Sequence, residues 1–309
     1  MNIVIYGTGG VGGYFGARLA QAGNMVTFIA RGKHLEAIQK NGLQLKSIKG
    51  NYLVKPATTT SDISEVKEID LILICVKTWQ LTEVAEIIKS VLNENTLVIS
   101  LLNGVNNSEV LTSILGSENV LGGLCKIVSK VEDYGVINHL SYEPTIVFGE
   151  LNNEKTERAN KLESIFVNAG IKTKLASDIQ KEIWTKFLFI STVSAIGALT
   201  RATIGEMIAS KEIKKMMLQT SEEIVTIAKV IGVNLPEDII EKQFKIIDSQ
   251  PYNTTASLQR DMMEGKPSEL EAQNGTIVKM AIELGIPTPI NSFIYHCLLP
   301  QENKARGLS

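Results

Sequence analysis

The sequence predicts an α/β domain followed by an all-α domain, and two observations support this assignment. In the first half of the 309-residue chain, short apolar runs typical of buried parallel strands alternate with helical patterns. From Ser177 onward the pattern changes to long helical segments with few strand signals. Small polar residues at 176–178 can open a helix. We therefore place the boundary there and predict domains over residues 1–176 and 177–309.

The start of the chain carries the most specific motif. An apolar strand, Ile3–Tyr6, leads into a G-x-G-x-x-G turn, then a helical pattern and a second strand over Met25–Ile29. The turn consists of Gly7, Thr8, Gly9, Gly10, Val11 and Gly12. Its glycines permit a tight turn, approach of a pyrophosphate to the backbone, and close packing of helix on strand. Because phosphates bind at helix N-termini, the segment predicts a Rossmann-type dinucleotide site. The alternative is a glycine-rich turn in another kind of α/β protein.

The end of the second strand indicates which dinucleotide is bound. NAD-binding domains usually carry Asp or Glu there, about 20 residues past the glycines, to bind the ribose 2′-hydroxyl. This chain instead has Arg31, with Lys33 nearby. Since a guanidinium can bind a 2′-phosphate through two hydrogen bonds, we expect NADP(H) as the cofactor. The alternative is that Arg31 is an ordinary solvated residue at the start of a helix.

The remaining elements of the first domain follow from apolar runs and helical periodicity. Strands are predicted over 43–46, 52–54, 70–76, 97–102, within 120–150, and over 171–175. Helices are predicted over 81–91 and 160–169.

Composition is that of an ordinary globular protein and excludes several classes of function. The net charge of −2 offers no footprint for nucleic acid or an anionic membrane. The first strand starts at residue 3, which leaves no room for a signal peptide, and the uninterrupted apolar runs fall short of a membrane span. We therefore expect a cytoplasmic protein.

The cysteines and histidines are too scattered for a disulfide framework or a metal site, and none is expected. They are Cys75, Cys125, Cys297, His34, His139 and His296.

Six short motifs occur along the chain in a defined order. They are GTGGVG at residues 7–12, Cys75-Val-Lys77-Thr-Trp79-Gln80, Leu102-Asn103-Gly104, Trp184-x-Lys186, Ser257, and Ser268-Glu269-Leu270-Glu271. Each motif alone is modest, but their order and spacing resemble the ketopantoate reductase family over nearly the whole chain. The resemblance implies a Rossmann domain followed by a helical domain similar to the C-terminal domain of 6-phosphogluconate dehydrogenase. It also implies NADPH-dependent reduction of a small 2-oxo acid, typically 2-dehydropantoate to (R)-pantoate for pantothenate and coenzyme A synthesis. A homodimer is a possible assembly.

The same resemblance assigns roles to individual residues. Lys186 matches the proton donor of the family, a role that lysine fills when apolar surroundings favour proton release. Glu269 matches the residue that orients this lysine and contacts substrate. Asn103 matches an asparagine that contacts the nicotinamide ribose and helps to hold the lysine and substrate. Ser257 matches a residue that binds the substrate carboxylate, and Lys77 a cofactor contact. Each has a structural alternative: a surface lysine, a helix-capping carboxylate, an Asn-Gly turn, a helical serine and a loop cation.

The segment around Glu269 has its own local pattern. Ser268 and Glu271 fit a capping box, with Ser268 as the N-cap residue and Glu271 at the third helical position. In that frame Glu269 occupies the first helical position, where a carboxylate stabilises the helix dipole.

Three positions depart from the family pattern. Lys186, Ile190 and Ser194 are spaced to lie along one face of a helix. Ketopantoate reductases typically carry substrate-binding asparagines at the second and third of these positions. Thr254, which we place one helical turn before Ser257, also stands where asparagine is common. The loss of these amides makes the predicted substrate pocket more apolar. Reduction of another branched or aromatic 2-oxo acid and a non-catalytic NADP-binding sensor therefore remain alternatives.

Overall fold

The computed structural model describes residues 1–308 and consists of two compact units. The first unit comprises residues 1–102 and 106–179. The second unit comprises residues 103–105 and the chain from Gln180 onward. The chain therefore leaves the first unit for three residues at Asn103 and returns at Asn106 before it finally crosses after Ile179.

The first unit is a mixed α/β structure. Its strands are β1 (Asn2–Tyr6), β2 (Met25–Ile29), β3 (Leu43–Ser47), β4 (Tyr52–Val54), β5 (Thr58–Thr60), β6 (Leu71–Ile74), β7 (Leu97–Ser100), β8 (Val120–Asp133), β9 (Val136–Gly149) and β10 (Lys172–Leu175). Its helices are α1 (Gly10–Gln21), α2 (Gly32–Asn41), α3 (Leu81–Lys89), α4 (Asn107–Leu115) and α5 (Glu157–Asn168). Short 3₁₀ turns occupy Ile63–Glu65 and Thr78–Gln80.

Six parallel strands form the part of the sheet that holds the glycine turn. Their spatial order is β5-β2-β1-β6-β7-β8. This is the 3-2-1-4-5-6 order of dinucleotide-binding folds, in which ligands bind at the carboxyl ends of the strands where the order reverses. That point lies between β1 and β6, which are joined in register from Ile3↔Leu71 to Tyr6↔Ile74. The predicted Rossmann-type fold is confirmed.

The sheet continues beyond β8 in a way that the apolar runs did not specify. The predicted strands within 120–150 are one long hairpin of two 14-residue antiparallel strands, β8 and β9. Strand β9 also pairs in parallel with β3 and with β10. A glycine at the base of the hairpin lets β8 lie close to a side chain of the neighbouring strand β7. A Cβ on Gly123 would lie 2.3 Å from Ile99 Cγ2.

The second unit is helical. Its helices are α6 (Ile179–Thr200), α7 (Ile204–Ala209), α8 (Lys211–Val230), α9 (Ile239–Asp248), α10 (Ser257–Met263), α11 (Thr276–Leu284) and α12 (Pro289–Ala305). A π-helical turn, Glu271–Gly275, leads directly into α11. The predicted all-α class of this part is confirmed. Ile179, the first residue of α6, is grouped with the first unit, so the division lies three residues beyond the predicted boundary at 176.

Helix α6 is the core of the second unit. Within residues 1–308 it is the one helix that is long and apolar enough to cross a membrane, with a mean hydropathy of 1.4 over its most apolar window. Uninterrupted apolar runs do not reveal it, because polar residues such as Ser191 and Thr192 divide the run. Since 67% of that window is buried in the protein, its apolar surface serves packing inside the protein.

Candidate active site

The glycine turn follows β1 and is held by backbone contacts. Gly7 has φ of +101°, which favours glycine, and a Cβ there would lie 2.9 Å from the backbone of Cys75, just past β6. Thr8 is buried, and both its N–H and its hydroxyl donate to the Ile29 carbonyl, at 3.1 and 2.9 Å. The turn is thereby joined to the ends of the two strands that flank β1.

The start of α1 has the shape that a dinucleotide requires. A Cβ on Gly12 would lie 2.2 Å from the Gly7 carbonyl oxygen, so the helix packs too closely on the turn for any side chain there. A Cβ on Gly9, the N-cap residue, would meet no atom within 4 Å. The Gly9 backbone is therefore open to an approaching group. The first N–H groups of a helix have no partner within the helix, and those of Gly10 and Val11 can bind phosphate oxygens. The residues present fit a dinucleotide.

Arg31 is exposed and immediately precedes α2 as its N-cap residue. The guanidinium lies beside the Tyr6 phenol, which is only 4% exposed. Burial raises the pKa of Tyr6, while the charge of Arg31 acts in the opposite direction. The carboxylates of Glu83 and Asp62 also raise the pKa of this phenol. Sequence reasoning missed Tyr6, although a polar aromatic residue at the end of β1 was the available signal.

Lys77 follows β6 at the same edge of the sheet as the glycine turn. Its side chain is exposed, and Nζ lies 5.8 Å from the centre of the Trp79 ring. The Lys77 N–H donates to the side chain of Gln80 at 3.2 Å, which orders the short turn. A cation and an exposed aromatic ring therefore lie close to each other beyond β6.

In the second unit, Asn103 and Glu269 come together although they are 166 residues apart in the chain. Asn103 Nδ2 donates to Glu269 Oε2 at 2.8 Å. The Glu269 side chain is buried, with 7% of the residue exposed. The polar group of the Asn103-Gly104 turn is thus engaged with a buried carboxylate, which an ordinary surface turn would not require.

A buried ionic cluster anchors the segment that carries Glu269. Glu302 on α12 accepts from the Ser268 N–H at 3.0 Å and from its hydroxyl at 2.6 Å. Arg306 donates to Glu302 Oε1 at 2.6 Å and to the Ser268 carbonyl at 2.7 Å. This cluster fixes the residue directly before Glu269. Sequence analysis missed Glu302, since no local pattern links it to Ser268.

The predicted capping box at this segment is wrong. Ser268 Oγ does accept from the Leu270 N–H at 3.2 Å. However, the Ser268 N–H is bonded to Glu302, whereas Glu271 accepts from the Tyr295 hydroxyl at 2.6 Å. Glu271 also begins a π-helical turn in place of a third α-helical position. Tertiary partners on α12 have replaced the local pairing, and π turns frequently occur at functional sites.

Lys186, Ile190 and Ser194 all lie on α6, as expected from their spacing. Lys186 and Ile190 are partly exposed, whereas Ser194 is buried, with 1% exposed. The buried Trp184 and Phe187 flank the lysine and meet edge to face, with ring centres 5.5 Å apart. Lys186 therefore has two buried aromatic side chains close to it along the helix.

A further polar residue contacts this part of α6. Gln243 on α9 is 3% exposed, and its Nε2 donates to the Thr185 carbonyl at 3.1 Å. Its Oε1 is buried without a hydrogen-bond partner. Gln243 thus ties α9 to the residue before Lys186. Sequence analysis did not identify it, because one glutamine in an amphipathic helix carries no motif.

Ser257 and Thr254 lie at the start of α10. Ser257 is the first residue of the helix and is exposed. The prediction that Thr254 precedes it by one helical turn is wrong, since residues 254–256 are not helical. The Thr254 carbonyl instead accepts from the Ile204 N–H at 2.9 Å, which joins this segment to the start of α7.

The metal-ligating residue types form no group of three or more placed to hold an ion within residues 1–308. The cysteines at 75, 125 and 297 are unbridged. Burial raises the pKa of the Cys75 thiol, which favours its protonated form next to the glycine turn.

Comparison with known proteins identifies relatives along the whole chain. The family described as "Ketopantoate reductase PanE/ApbA" matches residues 3–153, and "Ketopantoate reductase PanE/ApbA C terminal" matches residues 178–302. An uncharacterized oxidoreductase, YkpB, from Bacillus subtilis is 33% identical, with 96% of this chain and 97% of that protein covered. A 2-dehydropantoate 2-reductase from Nostoc is 28% identical, with 95% and 93% covered.

A solved structure agrees with these matches. A PanE/ApbA family ketopantoate reductase from Ralstonia eutropha is 30% identical, with a TM-score of 0.91 and 99% and 100% of the two chains covered. The chain belongs to the ketopantoate reductase family. It is an NADP(H)-dependent oxidoreductase that acts on a CH–OH group.

Proposed function

For this member of the ketopantoate reductase family, we propose that the reaction is NADPH-dependent reduction of 2-dehydropantoate to (R)-pantoate. The observation that carries the proposal is the hydrogen bond between Asn103 and the buried carboxylate of Glu269. It joins two of the polar groups that the family resemblance assigns to the substrate site. In this proposal the first unit binds NADP(H), and the second unit supplies the catalytic and substrate-binding side chains.

The glycine turn and Arg31 account for cofactor binding in this proposal. The open backbone at Gly9 and the N-terminus of α1 receive the pyrophosphate, and Arg31 receives the 2′-phosphate. Lys77 adds a cation beyond β6. When bound, NADPH supplies the hydride that reduces the carbonyl carbon of the oxo acid.

Lys186 and Glu269 account for proton transfer. Lys186 Nζ gives a proton to the carbonyl oxygen as that oxygen gains negative charge, so that a hydroxyl group is formed. Glu269 holds the lysine and contacts the polar end of the substrate, and Asn103 holds Glu269. Ser257, exposed at the start of α10, is available to the substrate carboxylate. A non-catalytic sensor would have no need for both Lys186 and Glu269.

Ile190 favours a second candidate substrate class, the apolar branched or aromatic 2-oxo acids. It is partly exposed on α6 one turn from Lys186, whereas Ser194 is buried. Ile190 is therefore better placed than Ser194 to decide which side chain of an oxo acid is accepted. An isoleucine there offers no hydrogen bond to the terminal hydroxyl of 2-dehydropantoate.

A comparison of kcat/KM for 2-dehydropantoate and 2-oxoisovalerate, which lacks the hydroxymethyl group, tests the assignment. If the site reads the hydroxyl, we expect 2-dehydropantoate to be preferred by up to about 10⁴–10⁵-fold. A preference of about 10²-fold or less would favour the apolar class. The Ile190→Asn variant should shift the ratio toward 2-dehydropantoate, and Ile282→Asn, at a site that is 74% exposed, is the matched control. If no 2-oxo acid supported NADPH oxidation, the catalytic proposal would be wrong.

A further inference from the structure

His34 is joined through both ring nitrogens to backbone groups of two separate segments. It lies in the first turn of α2 and is half-buried. Nε2 lies 2.9 Å from the carbonyl oxygen of Thr8 in the glycine turn. Nδ1 lies 3.0 Å from the N–H of Gly135, at the tip of the β8–β9 hairpin. One side chain thus connects the glycine turn, α2 and the hairpin.

These contacts define the protonation state of the ring. The Gly135 N–H can only donate, so Nδ1 must accept and carries no proton. The Thr8 carbonyl can only accept, so Nε2 carries the proton. The neutral Nε2–H tautomer therefore satisfies both contacts, whereas a doubly protonated ring would place two N–H groups against each other at Gly135.

We propose that His34 is a positioning residue for NADP(H), which holds the glycine turn in its binding conformation through the Thr8 carbonyl. This inference rests on the assignment of the glycine turn to the cofactor. Thr8 lies between Gly7 and Gly9, so a shift of its peptide group would move the backbone that the pyrophosphate approaches. Two hydrogen bonds from Thr8 to Ile29 hold the other side of this residue. The His34 contact therefore completes the support of the turn.

The environment of His34 makes this support dependent on pH. Burial lowers the pKa of His34, and the Thr8 carbonyl only partly opposes the shift. The charged and titratable residues that neighbour the two contact segments in the chain are Arg31 and Lys33, on either side of the start of α2, and Asp133 and Tyr134, directly before Gly135. All four are exposed, and the glycine turn contributes none. Because the pKa of His34 in the folded protein lies below its usual value, the ring stays neutral at neutral pH. It becomes protonated only on further acidification.

The test is the Kd of NADP⁺, measured by calorimetry on the full-length protein between pH 7.5 and 5.5. His34→Ala removes both contacts, and we expect it to weaken binding about tenfold at pH 7.5. His34→Gln keeps a donor for Thr8 and cannot titrate, so it should bind within about threefold of the unchanged protein. His34→Asn keeps an acceptor near Gly135 but is too short for Thr8, and it should resemble the alanine variant.

The pH profile separates positioning from a general loss of structure. The unchanged protein should lose affinity on acidification more steeply than His34→Gln. Protonation of the 2′-phosphate of NADP⁺ affects binding to both proteins equally, so it does not change the difference between their pH profiles. His296→Gln, at an exposed histidine on α12, is the control and should match the unchanged protein.

If His34→Ala and the unchanged protein bound NADP⁺ with equal affinity, the role of His34 would be overturned while the cofactor assignment would stay intact. The same holds if His34→Gln and the unchanged protein had identical pH profiles. Absence of NADP⁺ binding by the unchanged protein at every pH would instead overturn the cofactor assignment, and this inference with it.

Discussion

The glycine turn of the first unit and the Asn103–Glu269 pair of the second are built in opposite ways. The turn is made of backbone, and its shape depends on the absence of side chains at Gly7 and Gly12. The pair is made of side chains, and its geometry depends on the distant residues Glu302 and Arg306, which anchor the segment before Glu269. A binding surface for phosphates needs close approach of N–H groups, whereas a proton-transfer site needs functional groups held at chosen positions.

The two sites should therefore be sensitive to opposite kinds of substitution. At the turn, adding one carbon should be enough to block binding, because the space is needed for a ligand or for packing. At the side-chain site, removing a group should be enough, because nothing else supplies its charge or hydrogen bonds. Four sets of substitutions, from the largest expected effect to the smallest, test the contrast.

Replacement of Lys186 by alanine should have the largest effect. A positioned general acid contributes about 10²–10⁴-fold, so kcat should fall by this factor while the Kd of NADP⁺ changes little. Steady-state kinetics with NADPH and 2-dehydropantoate, together with calorimetry, measure the two quantities. Lys181→Ala, on the same helix, is the matched control and should keep normal turnover. Near-normal turnover of Lys186→Ala would remove the lysine from the mechanism.

Alanine substitutions at Gly9 and Gly12 should distinguish space that the cofactor needs from space that packing of the protein needs. A Cβ at Gly9 meets no protein atom within 4 Å, so Gly9→Ala should keep the melting temperature of the unchanged protein. It should nevertheless weaken NADP⁺ binding by about tenfold or more, because the new methyl group occupies space that the pyrophosphate needs.

Gly12→Ala should behave differently, since its Cβ would lie 2.2 Å from the Gly7 carbonyl. We expect a loss of about 1–3 kcal/mol in the free energy of unfolding, measured by denaturant titration. Unchanged NADP⁺ affinity in Gly9→Ala would argue that the dinucleotide does not approach the turn.

A double-mutant cycle on Asn103 and Glu269 tests whether the two side chains act together. A hydrogen bond to a charged group contributes about 1.5–3 kcal/mol, so either alanine variant should lower kcat/KM by about 10–100-fold. The double variant should be little worse than the single ones, because the same contact has already been lost. If the two effects simply added, the hydrogen bond between these side chains would have no part in catalysis.

Replacement of Arg31 by alanine should have the smallest effect. The guanidinium is exposed, so its interaction with a 2′-phosphate is partly screened, and we expect KM for NADPH to rise about tenfold. KM for NADH should hardly change, since that cofactor lacks the phosphate. The control is Lys40→Ala, at an exposed lysine in the last turn of α2, the helix that Arg31 precedes. Equal affinity of the unchanged protein for NADPH and NADH would contradict the role given to Arg31.

The sequence by itself determined the features that depend on neighbouring residues. The glycine turn, the strands on either side of it and Arg31 all lie within the first 31 residues. Steric rules that act over a few residues decide such a motif, so the order of residues is enough to recognise it. The helical spacing of Lys186, Ile190 and Ser194 is local in the same sense.

Only the tertiary structure decided which distant groups meet. No local rule pairs Asn103 with Glu269 across 166 residues, or links His34 to the tip of the β8–β9 hairpin. The incorrect capping box shows why: Ser268 and Glu271 match the local pattern, but Glu302 and Tyr295 on α12 take their hydrogen bonds. A local hydrogen bond is replaced when the folded chain offers a buried partner with better geometry, and that choice depends on the packing of the whole unit.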